Sequence, residues 1–205
     1  MSKIEKIVFA TGNKNKVREI SEILEGFSIP VLSMNEAGID IDIVEDGKSF
    51  EENSLIKART VWKISGGLVL ADDSGLEVDA LGGEPGIYSS RYMGEETSYH
   101  IKNENIIERL EGVEEEKRTA RFVCAVAAVF PDGSEKVVRG VMEGRIGYKE
   151  AGENGFGYDP IFILPEYGKT TSELPAEIKN KESHRGKALR AMRKVIEQYE
   201  NSGNK

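Results

Sequence analysis

Asp72 and Asp73 stand side by side directly after the apolar run LVLA. Neighbouring carboxylates repel, and open α/β sheets place ligands beyond the carboxyl ends of their strands. Such a pair suits Mg2+, which takes carboxylates, waters and substrate phosphate oxygens. The plainer alternative is an acidic turn closed through Ser74-Gly75 by local side-chain hydrogen bonds. Side chains alternate along a strand, so one aspartate is expected to face a site and the other to brace a neighbour. Glu45 and Asp46, in VEDG, precede a helical pattern. Either is a second metal ligand or an acidic cap at the helix start.

The cations form a second group. In FATGNKNKVREI, Asn13 has the side chain of a helix cap, yet Lys14 and Lys16 fall in the first turn. A helix start is already partly positive, because its first N–H groups lack internal partners, so lysines there add like charge. ESHRGKALR repeats the oddity, with Ser183 as cap and His184, Arg185 and Lys187 behind it. Either these are solvated cations, or both helix starts face an anion that is not part of the chain. Free N–H groups, dipoles and cationic side chains would then add on a phosphate-bearing ligand. Gly12 lets the backbone come close to such a ligand. Lys57 reads from local spacing as a solvated lysine on the polar side of its helix, shared with Asn53. GENGFGYDPIF places Phe156 and Tyr158 among glycines. An aromatic there either stacks on a base or packs in the core at a strand entrance.

The elements that must position these groups follow from hydrophobic periodicity. Strands are expected at 6–11, 29–34, 68–73 and 76–81, with a glycine-rich turn region at 82–88. Helices are expected at 14–26, 49–64, 98–111 and 184–200. Ser49 and Glu52 form a capping box for the second helix, and Leu55, Ala58, Trp62 and Ser65 mark its inner face. The third carries Ile101, Ile106, Ile107 and Leu110. Residues 120–130 and 134–143 read as a hairpin around Pro131-Asp132-Gly133, with strand continuing over 144–149. A βαβ-like first half followed by a long hairpin predicts an α/β or α+β fold with a mixed sheet.

Bulk properties narrow the partners. With 205 residues, a net charge of −8 and one cysteine, the chain suits one domain and is no general binder of nucleic acid or anionic membrane. Cys124 sits in an apolar run, where a buried structural thiol is expected, and an internal disulfide is excluded. No apolar stretch approaches a membrane span and no signal-peptide profile is present, so a cytoplasmic setting is expected. Walker A, dinucleotide-fingerprint, EF-hand and G-x-S-x-G patterns are all missing, and two histidines cannot build a His-rich metal site.

ATGNKNK, FEEN, ADDSGLEVDALGGEPGIYSSRY, GFGYDPIF and SHRGKAL, in this order from residue 10 to 189, resemble the inosine/xanthosine triphosphate pyrophosphatases. This is the non-canonical purine NTP pyrophosphatase, or Ham1-like, family, and its bacterial-type members look nearest. The resemblance implies one 1–205 domain with two lobes around a long twisted mixed β-sheet flanked by helices, with the site in a cleft. It also implies a homodimer and Mg2+-dependent hydrolysis of ITP, dITP and XTP to monophosphate and pyrophosphate. Residue by residue, it assigns phosphate binding to Thr11, Gly12, Asn13, Lys14, Asn15 and Lys16. Asp73 is matched as proton acceptor and metal ligand, Ser74 as a substrate contact, and Lys57 as a lysine near the phosphates. Phe156, Gly157, Tyr158 and Asp159 match the base-contacting loop, and Lys179, His184 and Arg185 the base-side contacts. Ser54 and Ser90 stand where alanine is common. VEDG departs from the commoner double glutamate, leaving Glu45 as metal ligand an open alternative.

Overall fold

The computed structural model describes residues 4–12, 16, 20 and 29–202. Its strands are β1 (Ile7–Phe9), β2 (Val31–Ser33), β3 (Leu68–Val78), β4 (Thr119–Val129), β5 (Glu135–Ile146), β6 (Phe162–Leu164) and β7 (Lys169–Thr170). The helices described are α1 (Phe50–Ser65), α2 (Tyr99–Arg109), α3 (Ala176–Glu182) and α4 (His184–Ser202). The strands form one mixed seven-stranded sheet in the order β2-β1-β3-β4-β5-β6-β7. The fold is thus α/β, as the alternation of elements implies.

The chain divides into two compact units, the first comprising 1–73, 124–140 and 185–205 and the second 74–123 and 141–184. In the first, β1 pairs in parallel with β2 and β3, with Val8 opposite Leu32 and Val69. Parallel strands covered on both faces read as unbroken apolar runs, and IVF and LVLA do so. One cluster packs Ile7, Phe9, Leu68 and Leu70 with Leu189, Met192 and Ile196 of α4. The other packs Val8, Val69 and Ala71 with Ala58 and Val61 of α1. Cys124 is buried in the former cluster. In the second unit, β5 pairs antiparallel with β6 and β6 with β7. Its core gathers Leu76, Val78, Ile106, Leu110, Phe122, Tyr158 and Phe162.

Arg118 is the largest of the fully buried side chains. Its Nε, Nη1 and Nη2 donate to the carbonyls of Ile146, Leu110 and Gly147 at 2.9, 2.7 and 2.7 Å. The Tyr148 ring lies 4.3 Å away. These bonds tie two segments of the second unit, at Leu110 and at Ile146-Gly147, to one cation.

Two expectations need correction. Asp72 and Asp73 lie in the middle of β3 and not at its end, because extended backbone runs on through Ser74-Gly75 to Val78. Residues 79–81 form a 3-10 turn instead of strand. The buried face of α2 is carried by Lys102, Asn103 and Ile106, and Ile101 is exposed. A short helix over 176–182 also escaped the periodicity. The proposed helix over 14–26 falls mostly outside the described residues, although Lys16 and Ile20 are helical. No helix among the described residues is long and apolar enough to cross a membrane.

Candidate active site

The first unit carries a dense buried cluster of charge. It is built from α1 and the segment before it. Ser49 Oγ accepts the Glu52 N–H at 3.1 Å. The Glu52 carboxylate accepts from Lys48 N, so the expected capping box closes one residue earlier than Ser49. Asn53, in the first turn, is fully buried. Its Oδ1 accepts from Gly47 N at 2.9 Å and its Nδ2 donates to Asp73 Oδ2 at 3.1 Å. One amide therefore fastens the VEDG segment to β3. A methyl group on Gly47 would lie 2.6 Å from Asn53 Oδ1, so only glycine permits this closeness.

Lys57 sits one turn further along α1. It is 7% exposed, not solvated as local spacing implied. Its Nζ lies 2.7 Å from Glu45 Oε2 and 3.5 Å from Asp73 Oδ1. The i, i+4 spacing puts Asn53 and Lys57 on one face, and that face meets Asp73. Burial pushes Asp73 up from its ordinary value, more than Lys57, Lys16 and the Asn53 amide hold it down. Burial pulls on Lys57 in the opposite sense, but Asp73, Asp72 and Glu45 outweigh it and raise the ammonium. Lys57 is therefore a fixed cation, while Asp73 is a carboxylate with increased affinity for a proton.

Asp72 points to a different set, as alternation along β3 requires. It is 1% exposed. Its Oδ2 lies 3.1 Å from Lys16 Nζ and 3.3 Å from Arg185 Nε. Arg185 is buried, and burial pulls it down to about 10. Cations from both of the unusual helix starts thus meet a counter-charge inside the chain, which amends the expectation of an anion supplied only from outside. Thr11 and Gly12 follow β1, whose run is extended by Ala10 N donating to Leu70 O. Asn13, Lys14 and Asn15 lie outside the described residues. Ser74 is half-buried on β3.

The second unit holds another group. Asp159, 4% exposed, organises the glycine-rich loop. Its Oδ2 accepts from Phe156 N and from Lys179 Nζ, both at 2.8 Å, and its Oδ1 accepts from Thr171 Oγ1 at 2.9 Å. Phe156 is half-buried, with Lys179 Nζ 5.0 Å from its ring centroid. Tyr158 takes the core alternative: it is 3% exposed and donates from its hydroxyl to Ser89 O at 2.7 Å. His184 is buried and stacked on Phe122, with centroids 5.0 Å apart and planes at 13°. Gly155 and Gly157 have φ of +82° and +70°. A methyl group on Gly155 would collide with Asp159 Oδ2. Gly155→Ala is therefore expected to lose about 1–3 kcal/mol of stability in urea unfolding. An unchanged midpoint would show that the loop does not need Gly155.

Glu45 and Asp73 are the fitting pair for a divalent cation. Two hard oxygen donors already converge on one positive charge, the Lys57 ammonium. No group of three His, Cys, Asp or Glu side chains converges among the described residues. The chain would thus supply two carboxylates and leave further positions to water and phosphate, which is the habit of Mg2+.

A family model described as the Ham1 family matches residues 7–195. The chain belongs to the Ham1 family. This Ham1-family chain is 48% identical over 196 residues to a dITP/XTP pyrophosphatase of Clostridium perfringens, covering 93% of the chain and 96% of that protein. It is 46% identical over 194 residues to the dITP/XTP pyrophosphatase of Bacillus subtilis, covering 95% and 98%. The solved Ham1 protein of Staphylococcus aureus superimposes with a TM-score of 0.85 at 40% identity, covering 95% of this chain and 99% of that one.

Asn53 was missed as a member of the charged cluster. For Asn53 the signal was available: it lies four residues before Lys57 on a helix whose Ala58 and Val61 are buried. Asp72 takes the bracing place that strand alternation predicts for one of the two aspartates, against Lys16 and Arg185.

Proposed function

We propose that this chain hydrolyses non-canonical purine nucleoside triphosphates, of the dITP, ITP and XTP kind, to the monophosphate and pyrophosphate. The carrying observation is Lys57 held between Glu45 and Asp73 beside a second buried set, Lys16–Asp72–Arg185. Charge of both signs is stored there as internal ion pairs. An incoming triphosphate offers Lys16 and Lys57 new anionic partners and leaves carboxylates to a cation that accompanies it. The names carried by the relatives support the same reading.

In this reading Glu45 and Asp73 would hold Mg2+. The bound metal would neutralise charge on phosphate oxygens. Asp73 accepts the proton of a water that attacks the α-phosphorus in line. The bond between that phosphorus and the α–β bridging oxygen breaks, and the departing pyrophosphate keeps the electron pair. Lys16, Lys57 and, by the resemblance, Thr11–Lys16 stabilise the leaving charge. Asn53 positions Asp73 through Oδ2. Base recognition falls to the loop of Phe156 and to Lys179. The ring offers a stacking face, and Lys179 a donor for a 6-oxo group. Adenine presents an amino group there, which leaves a buried donor unpaired and is disfavoured. Ser74, His184 and Arg185 are carried as substrate contacts by the resemblance, as is a homodimer, while the cytoplasmic setting is carried by the sequence expectation. Light scattering tests the dimer.

The product test is direct. With dITP or XTP and Mg2+, pyrophosphate is expected in a one-to-one ratio with monophosphate. Orthophosphate with a nucleoside diphosphate would instead make the chain a γ-phosphatase. Tight binding without turnover at any metal concentration would make it a sensor.

A further inference from the structure

Helix α2 has a connection to the Phe156 loop that the chemistry above does not use. Asn103 lies on its buried face and is 1% exposed. Its Nδ2 donates to Gly157 O at 3.3 Å and to Glu150 Oε1 at 2.7 Å. Both partners are acceptors, so the amide has one allowed orientation; reversed, Oδ1 would face two oxygens. Asn103 Oδ1 is buried and finds no hydrogen-bond partner. A buried amide with an unspent acceptor is a costly way to fill core space, which argues that its donor side is what the fold needs. Glu150 is itself held from the other side, since its Oε2 lies 2.7 Å from His100 Nδ1. One turn before Asn103, the Tyr99 ring packs edge-on against Tyr158 with centroids 5.2 Å apart. Tyr99 also lines the space beside Gly157, 3.6 Å from where a Cβ would stand. The 156–159 turn is therefore gripped twice: by Asp159 from within and by α2 from outside.

We propose that Asn103 is a positioning residue for base recognition, fixing the Gly157 carbonyl, and with it the Gly157–Tyr158 peptide, through the Glu150–Asn103 bridge. This rests on the reading that the Phe156 loop takes the base. The hydrogen bonds inside the turn run between Phe156, Asp159 and Thr171. They leave the Gly157 carbonyl to Asn103, and a glycine at positive φ is the residue least able to hold its own peptide plane.

Asn103→Asp tests this, because a carboxylate would face Glu150 and Gly157 O with no donor. The full-length protein is assayed with dITP and Mg2+, beside Ile106→Val, which trims the same buried helix face without touching the loop. Asn103→Asp is expected to raise KM about five- to tenfold while kcat stays within about twofold. Ile106→Val is expected to lower the melting temperature and leave KM alone. Glu150→Ala, which removes the bridge from the opposite end, is expected to raise KM in the same sense, and it serves if Asn103→Asp does not fold. Glu150→Gln retains an acceptor for Asn103 and is expected to restore most of the affinity. An unchanged KM in Asn103→Asp and Glu150→Ala, or equal KM changes in Ile106→Val, would overturn the proposal. Wild-type protein releasing no pyrophosphate from dITP would instead strike the functional reading on which it rests.

Discussion

Asp73→Asn is expected to reduce kcat/KM for dITP by about 10³-fold, the middle of the range for removing a positioned proton acceptor. The substitution keeps size and removes both proton affinity and charge. Substrate binding is expected to change far less, because Lys16 and Lys57 remain. The same change is expected not to destabilise the metal-free fold. Burial raises the Asp73 carboxyl above 3.8, its ordinary value. A folded-state pKa above the unfolded one favours folding below about 3.8, and that advantage is lost as pH rises through the folded value. At neutral pH the ionised Asp73 is thus a burden that asparagine relieves. Activity kept within tenfold would remove Asp73 from the chemistry, and a large fall in thermal midpoint in EDTA would make its role structural.

Arg185→Met carries the largest expected effect on stability. Arg185 is 2% exposed and faces Asp72, which is 1% exposed. Removing one partner of a buried pair leaves the other charge uncompensated, at about 3–5 kcal/mol. Lys16 stays 3.1 Å from Asp72 Oδ2, which places the expected loss near the lower bound, about 3 kcal/mol. For a chain of this length that is a melting temperature lower by roughly 6–12 °C. Adding Asp72→Asn is expected to return part of the loss, because the orphaned charge disappears with it. Equal or additive losses in the double variant would mean that the two residues do not share an interaction.

The sequence made visible whatever depends on near neighbours or on apolar runs. Ile7–Phe9, Leu68–Ala71 and β4 were legible because buried strands are apolar throughout, and β5 was legible from the Pro131-Asp132-Gly133 turn before it. The start of α1 was legible in Ser49 and Glu52. The middle of β3 was not, because Asp-Asp-Ser-Gly has the composition of a turn, and only pairing inside the sheet keeps it extended. Helix α3 was hidden for a related reason: AEIKNKE is short and polar, with no apolar period to detect. Lys57 shows the limit for side chains. Its polar helix face looked solvated until Glu45, twelve residues earlier, and Asp73, sixteen later, were seen to converge on it. Such meetings are set by tertiary packing, on which local spacing is silent. The family motifs pointed to Lys57 before any geometry did.

Arg118 shows a different use of buried charge. Its three hydrogen bonds end on main-chain carbonyls, whereas Arg121, on β4 just after it, reaches the carboxylates of Asp79 and Glu143 near solvent. Dissolved ions weaken the second kind of attachment and barely touch the first. In concentrated brine the surface pairs around β4 should slacken while the Arg118 knot keeps Leu110, Ile146 and Gly147 together, making this corner of the protein indifferent to ionic strength.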